Sequence, residues 1–314
     1  MDANLISGLA CELSREGRLQ EAEVLFRHSL AETPDNDEAR INLAMAVLAQ
    51  GRLSEGSALY EARLARMSSP TLPVPRWNGG ALDGKRVLIW PEQGLGDQIM
   101  VARYVHRLAA RGCDVTFVCA PALVRLFEQS LPATVLPARG TINFPDPDVW
   151  LWAMSLLAAM GGTPTPNAPY LRANPNRKQF RIGVATRGSP TNINDEHRSL
   201  PDEVASALLS LPEAGSLLPE DTGAVDMLET AEIIAGLELV ISVDTSIAHL
   251  AGALGKPIWI LLPAYATDWR WQLERRDTPW YPSAQLFRQP VPGDWTSVVS
   301  SVRHALAERR SAPR

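Results

Sequence analysis

Residues 239–263, LVISVDTSIAHLAGALGKPIWILLP, constrain this chain more than any other stretch. They read in order as a buried strand, a polar turn, a helix and a second buried strand. Residues 239–243 form a β-branched apolar run of the kind parallel strands show when both their faces are covered. Asp244, Thr245 and Ser246 come directly after it, each a good N-cap residue. The helix expected from about residue 247 to 254 directs its free N–H groups and positive dipole end over the strand's carboxyl edge. A diphosphate fits such a place. Gly255 supplies a left-handed stop, and Pro257 ends the helix before a strand at 258–262. The same spacing also fits an ordinary βαβ unit with a well-capped helix and no ligand, and the residues alone leave both readings open.

The chain has 314 residues, more than one core usually supports, and 46% hydrophobic content, enough to fill two or three. Its formal net charge of −5, without a Lys/Arg cluster, argues against a nucleic-acid partner. No apolar run reaches the length of a transmembrane helix, and the acidic N-terminal residues lack the order of a signal peptide. A cytoplasmic protein is expected, one that can work at the inner face of the membrane. Cys11, Cys113 and Cys119 show no metal-like pairing, so reduced, buried thiols are expected.

A repeat organises residues 1–69. At a period of 34, Leu9 pairs with Leu43, Ala10 with Ala44, Leu13 with Val47, Gly17 with Gly51, Leu19 with Leu53 and Phe26 with Tyr60, which is the tetratricopeptide period. Two units are too few for an independent array, so the second helix pair is expected to pack on the next domain of the chain. The segment is read either as a helical cap or as a groove for a protein partner.

A Pro/Gly-rich connector at 68–83 opens a first α/β lobe, taken as 70–160. It starts with a strand at 86–90, a loop at 91–97 containing Glu92, Gly94, Gly96 and Asp97, and an amphipathic helix at 98–110. A strand at 114–119, a helix at 121–129 and a strand near 134–136 come next. Gly94 and Gly96 let the backbone approach a ligand, and Asp97 lies at the helix cap. Asp146-Pro147-Asp148 has a D-x-D spacing, but its prolines mark a loop, and no metal is assigned. A linker at 161–178 is expected to hold a hinge. The second lobe, 179–294, opens on a strand at 180–185 and a polar loop containing Arg187, His197 and Arg198. A C-terminal helix is expected over 295–314.

The run from Asp244 to Pro257, D-T-S-x-x-H-L-A-x-A-L-G-x-P, resembles the nucleotide-sugar motif of glycosyltransferase family 9, the ADP-heptose lipopolysaccharide heptosyltransferases. The tail, with Asp268-Trp269-Arg270-Trp271, Trp280-Tyr281-Pro282 and Pro292-Gly293-Asp294-Trp295, resembles a subgroup fused to N-terminal tetratricopeptide repeats. The resemblance implies a GT-B-like pair of Rossmann-like lobes, and a C-terminal helix crossing back to the first lobe. It places a catalytic base at the Gly96-Asp97 pair. Donor-binding groups are implied at Gly94, Gly96, Arg187, Arg198, Asp244, Thr245, Ser246 and His249, with Glu92, Asp268, Trp269 and Arg270 as cleft candidates. The expected activity is metal-independent transfer of a sugar from a nucleotide-diphosphate donor to a hydroxyl acceptor, with no other cofactor. The acceptor is a lipopolysaccharide or other surface glycan, or alternatively a protein held by the repeats. A scaffold with a decayed transferase domain is the reading from a different class, favoured by a second lobe that looks short between residues 200 and 226.

Overall fold

The structure, a computed structural model, describes residues 3–165, 169–176 and 180–311. Residues 166–168 and 177–178 of the expected linker, and 312–314 of the expected C-terminal helix, lie outside the described residues.

Four helices open the chain: α1 (Ala3–Arg15), α2 (Leu19–Glu32), α3 (Asp37–Ala49) and α4 (Leu53–Tyr60), succeeded by a 3-10 turn at Glu61–Arg66. Gly17 and Gly51 occupy equivalent turns at φ 83 and φ 82, a conformation in which a Cβ is strained, and this explains their recurrence at the repeat period. Ala10, Phe26, Leu43, Ala44 and Val47 are buried between the helices.

The first lobe contains β1 (Arg86–Trp90), α5 (Leu95–Ala110), β2 (Asp114–Cys119), α6 (Val124–Ser130), β3 (Thr134–Pro137), β4 (Val149–Trp152) and α7 (Ser155–Ala159). Its sheet is parallel with order β3-β2-β1-β4. The chain leaves β1 toward β2 on one side and later returns to β4 on the other, so the turn after β1 lies at a topological switch point, where parallel sheets leave a crevice. α5 starts at Leu95, earlier than the sequence suggests, because Asp97 caps it from within the first turn. The second face of this sheet, Leu88, Val118, Trp150 and Trp152, is covered by Leu64, Met67, Leu72 and Val74 of the repeat end and connector.

The second lobe contains β5 (Ile182–Ala185), α8 (Asp195–Arg198), α9 (Asp202–Leu209), β6 (Ala214–Ser216), α10 (Pro219–Thr222), α11 (Met227–Ala235), β7 (Leu239–Val243), α12 (Ser246–Ala253), β8 (Ile258–Leu262), β9 (Ala284–Arg288) and α13 (Trp295–Ser311). The sheet is parallel with order β6-β5-β7-β8-β9, which puts its switch point between β5 and β7. The fold is thus α/β, a GT-B-like pair of parallel lobes preceded by helical repeats. Strand β6 and helix α10 fill residues 200–226, where the sequence looked short.

The C-terminal helix departs from expectation. α13 stays on the second lobe, where Val298, Val299 and Val302 pack with Ile241, Leu261 and Phe287. Arg303 donates to the Ala207 carbonyl, Arg309 to that of Glu238 and Arg310 to that of Pro212. Its apolar stripe packs on its own sheet beside α9, whose Leu208 and Val204 lie in the same cluster.

The lobes meet along α5 and α12. One apolar cluster runs from Phe26 and Leu43 in the repeats through Ile99 and Tyr104 to Leu250, Trp271 and Tyr281. Arg103, fully buried on α5, donates to the carbonyls of Pro164 and Trp280, each at 3.0 Å, and lies over the rings of Tyr170, Trp280 and Tyr281. The described part of the expected hinge is pinned as well, since Tyr170 and Leu171 both donate to the Ala253 carbonyl. Among the described residues no helix is long and apolar enough to cross a membrane.

Candidate functional site

The two turns singled out by the sequence come together at the lobe boundary. In the first, Gly94 is the N-cap of α5, and its N–H donates to Asp97 Oδ2 at 2.9 Å. Asp97 Oδ1 accepts from Arg270 Nη2, which comes from the second lobe. Gly96 lies so close to His249 of α12 that a Cβ there would sit 2.6 Å from His249 Cδ2. A side chain at position 96 would therefore push the lobes apart.

Arg270 is almost fully buried in the 3-10 turn Trp269–Trp271. Its Nη1 donates to both oxygens of Asp268, at 3.0 and 2.9 Å, and its guanidinium lies 4.4 Å from the centre of the Trp269 ring. Burial opposes the Arg270 charge, but Asp268 and Asp97 outweigh it and hold the guanidinium firmly protonated. Its Nε has no hydrogen-bond partner.

In the second turn, Thr245 is the N-cap of α12; its Oγ1 accepts from Ile247 N at 3.3 Å and lies 3.2 Å from Ser242 Oγ. Thr245 is buried and Ser246 half-buried, so Ser246 is the residue of the pair that faces outward. Asp244, just before the cap, is half-buried; burial and then the Asp268 charge push its carboxyl up to about 7, against the pull of the Trp271 indole N–H, Arg270 and Arg198.

Arg198 Nη1 donates to the Asp244 carbonyl at 2.7 Å and its Nε to Asp195 at 3.0 Å, with Gly188 leaving room for the guanidinium. The loop after β5 is thereby tied to the turn after β7, across the switch point. Arg187 stands apart, exposed and paired with Glu220. His197 packs edge-on against Tyr265.

His249 is buried, its Nδ1 lies 2.8 Å from Tyr281 Oη, and its ring stacks on Trp271. Burial, then Arg270, Arg103 and Arg198, hold the imidazole neutral, well below the usual histidine range. Its motif position put it toward a ligand, but Gly96, Tyr281 and Trp271 surround it. Trp269 likewise lies buried edge-on against Trp280, packed in the tail and not lining an open cleft.

Glu92 corrects the sequence reading. It is buried and committed: Oε1 accepts from Met154 N at 2.6 Å and from Arg63 Nη2 at 2.8 Å, and Oε2 from Arg63 Nε at 3.1 Å. It is a structural anchor and does not line an open cleft. Asp148 of the D-x-D triplet is spent on Arg86, at 2.7 Å. Among the described residues no group of three or more His, Cys, Asp and Glu is placed to hold a metal ion. Cys11, Cys113 and Cys119 are all free; the last two are buried, and Cys11 is half-buried.

Tyr60, Arg63, Gln93 and Arg103 escaped the sequence reading. Arg103 left a signal, a charge at the centre of an apolar helix face between Met100 and Tyr104. Tyr60 and Arg63 left none, since both are ordinary residues of a repeat helix end.

The family matches agree with this architecture. Residues 13–68 match the tetratricopeptide repeat family and residues 217–287 match glycosyltransferase family 9 (heptosyltransferase). The chain is 26% identical to Protein FlbA of Caulobacter vibrioides, over 84% of its own length and 54% of FlbA. It therefore spans about half the length of that curated relative. Among solved structures, it is similar to the iron-containing dodecameric glycosyltransferase TibC from enterotoxigenic E. coli H10407, at 13% identity and a TM-score of 0.49, covering 76% of this chain and 79% of TibC. It is also similar to E. coli ADP-heptose lps heptosyltransferase II, at 12% identity and a TM-score of 0.48, covering 72% of this chain and 100% of that one. Tetratricopeptide repeats ahead of a family 9 glycosyltransferase segment are what the family matches return, and that segment supports glycosyl transfer.

Proposed function

We propose that the chain moves a sugar from a nucleotide-diphosphate donor to a hydroxyl of a surface glycan, by direct inverting displacement and without a metal. The carrying observation is the meeting of two strand-to-helix turns at the lobe boundary, Gly94–Asp97 on one side and Asp244–Ser246 on the other, with Gly96 packed on His249 and Asp97 held by Arg270. The N-terminus of α12, with Ser246 outermost, would receive the diphosphate, and Arg198 would add positive charge as the leaving group departs. Asp97 would take the acceptor proton.

In this reading a donor diphosphate competes for Arg270, drawing it off Asp97 as the acceptor arrives. The protein would act in the cytoplasm, at the inner face of the membrane, where nucleotide sugars and glycan precursors are available. A protein acceptor is the second reading, and it is favoured by the contact of the repeats' Tyr60 with Gln93 in the Asp97 turn.

Calorimetric titration with ADP-, GDP-, UDP-, dTDP- and CMP-linked sugars tests the donor half. We expect one class to bind with micromolar to millimolar affinity and to support transfer in the presence of EDTA. Loss of transfer in EDTA, restored by one metal, would overturn the metal-free step.

A further inference from the structure

Two consecutive residues of the turn that carries Asp97 are held from the repeat segment. Arg63, buried in the 3-10 turn after α4, grips Glu92 through Nε and Nη2, while Glu92 also accepts from Met154 N. Burial opposes the Arg63 charge, but Glu92 and Glu61 restore it, so the anchor remains an ion pair. Such a pair is costly to break from one side, because the survivor is left buried and charged.

Gln93 donates from Nε2 to the phenol oxygen of Tyr60 at 2.7 Å. Tyr60 is buried, with the Arg63 guanidinium 4.8 Å from its ring centre. Gln93 is itself exposed and sits at φ 59, a left-handed conformation that strains a non-glycine residue and persists only where the surroundings impose it. The next residue, Gly94, donates to Asp97. A continuous set of contacts therefore leads from the repeats to the carboxylate: Tyr60 to Gln93, Gln93 by peptide linkage to Gly94, and Gly94 N–H to Asp97.

We propose that Tyr60 and Arg63 are positioning residues for Asp97, which makes the end of the repeat segment a working part of the transfer site. The proposal rests on the reading of Asp97 as the base. Arg63 fixes where the turn leaves β1. Tyr60 fixes the backbone conformation one residue further on, and with it the direction of the Gly94 N–H that orients the Asp97 carboxylate. Because Tyr60 belongs to the same helix end that packs on the transferase lobes, displacement of the repeats by an acceptor would be felt at this hydrogen bond first.

Tyr60→Phe in the full chain is the test, since it keeps the ring and its contact with Arg63 and removes only the hydroxyl. Peptide-resolved amide hydrogen exchange should accelerate about tenfold in residues 91–97 and stay unchanged in 100–108. With the donor found by titration, kcat should fall about tenfold while the donor KM stays within twofold and the melting temperature within about two degrees. Gln93→Leu should reproduce the effect, and Tyr60→Phe/Gln93→Leu should be no worse than either single change. Unchanged exchange at 91–97 overturns the clamp, and accelerated exchange with unchanged kcat overturns the positioning role. If wild type itself transfers no sugar, the reading of Asp97 as base falls, and the exchange result still decides the clamp.

Discussion

Arg270, from the second lobe, donates to the Asp97 carboxylate of the first, so the residue expected to be a catalytic base is also one half of an interlobe ion pair. With Asp268 on its other side, the guanidinium stands between two carboxylates and is almost fully buried. In the proposed mechanism, stability and catalysis are thereby linked through one contact.

Removing Arg270 should do more damage than removing Asp97. Arg270→Ala leaves Asp97, Asp268 and Asp244 facing one another without it, and loss of one partner of a buried pair costs about 3–5 kcal/mol. Asp97→Asn leaves Asp268 on the guanidinium, and Asn still accepts from the Gly94 N–H, so a cost of about 1–2 kcal/mol is expected. Urea unfolding of both variants checks the order.

Asp244 sets a pH dependence. Its carboxyl is raised to about 7 in the folded chain, above its ordinary value of 3.8, so the folded state holds a proton that the unfolded state has released between those values. The contribution is complete below about pH 4 and is lost as pH rises toward 7. Asp244→Asn keeps the neutral form throughout. Relative to wild type it should gain about 2–3 kcal/mol between pH 5 and pH 8. Parallel unfolding curves at the two pH values, with a constant difference, would remove the shift.

Ser246 separates the phosphate site from helix capping. Thr245 is buried and holds the cap, so bulky replacements there would disturb the lobe itself. Ser246→Glu puts a negative charge in the first turn, where the helix dipole welcomes it, yet repels a diphosphate. The melting temperature should hold or rise slightly while nucleotide-diphosphate affinity falls at least about tenfold, read by calorimetry.

Gly96→Ala tests the lobe contact. Its Cβ would meet His249, whose ring is wedged between Trp271 and Tyr281, and overpacking of this kind costs about 1–3 kcal/mol. Thermal melting reads the cost, and an unchanged midpoint would mean that the lobes separate freely at this point.

Both sheets were legible in the sequence because parallel strands buried on both faces leave unbroken apolar runs, as at 86–90, 239–243 and 258–262. The repeats were legible because Gly17 and Gly51 must both take a left-handed turn. Strand β4 was hidden inside a longer apolar run, and the direction of α13 is set by its packing beside α9 on the second lobe's sheet, which no local pattern encodes. At the site, residues on motif turns such as Asp97 and Asp244 could be picked out. Their partners could not, because Tyr60 and Gln93 lie 33 positions apart and Asp97 and Arg270 lie 173 apart. Glu92 looked available for the same reason: its partner, Arg63, lies 29 residues away in a different segment.

The role of Asp97 is tested most directly by a paired titration and transfer assay on wild type and Asp97→Asn, with the donor class found by screening. Both proteins should bind the nucleotide sugar with similar affinity, and the variant should transfer it more slowly by about 10²-fold or more, the usual scale for a lost general base. A wild-type chain that binds none of the five nucleotide-sugar classes at millimolar concentration would contradict this mechanism, as would an Asp97→Asn variant that transfers at the wild-type rate.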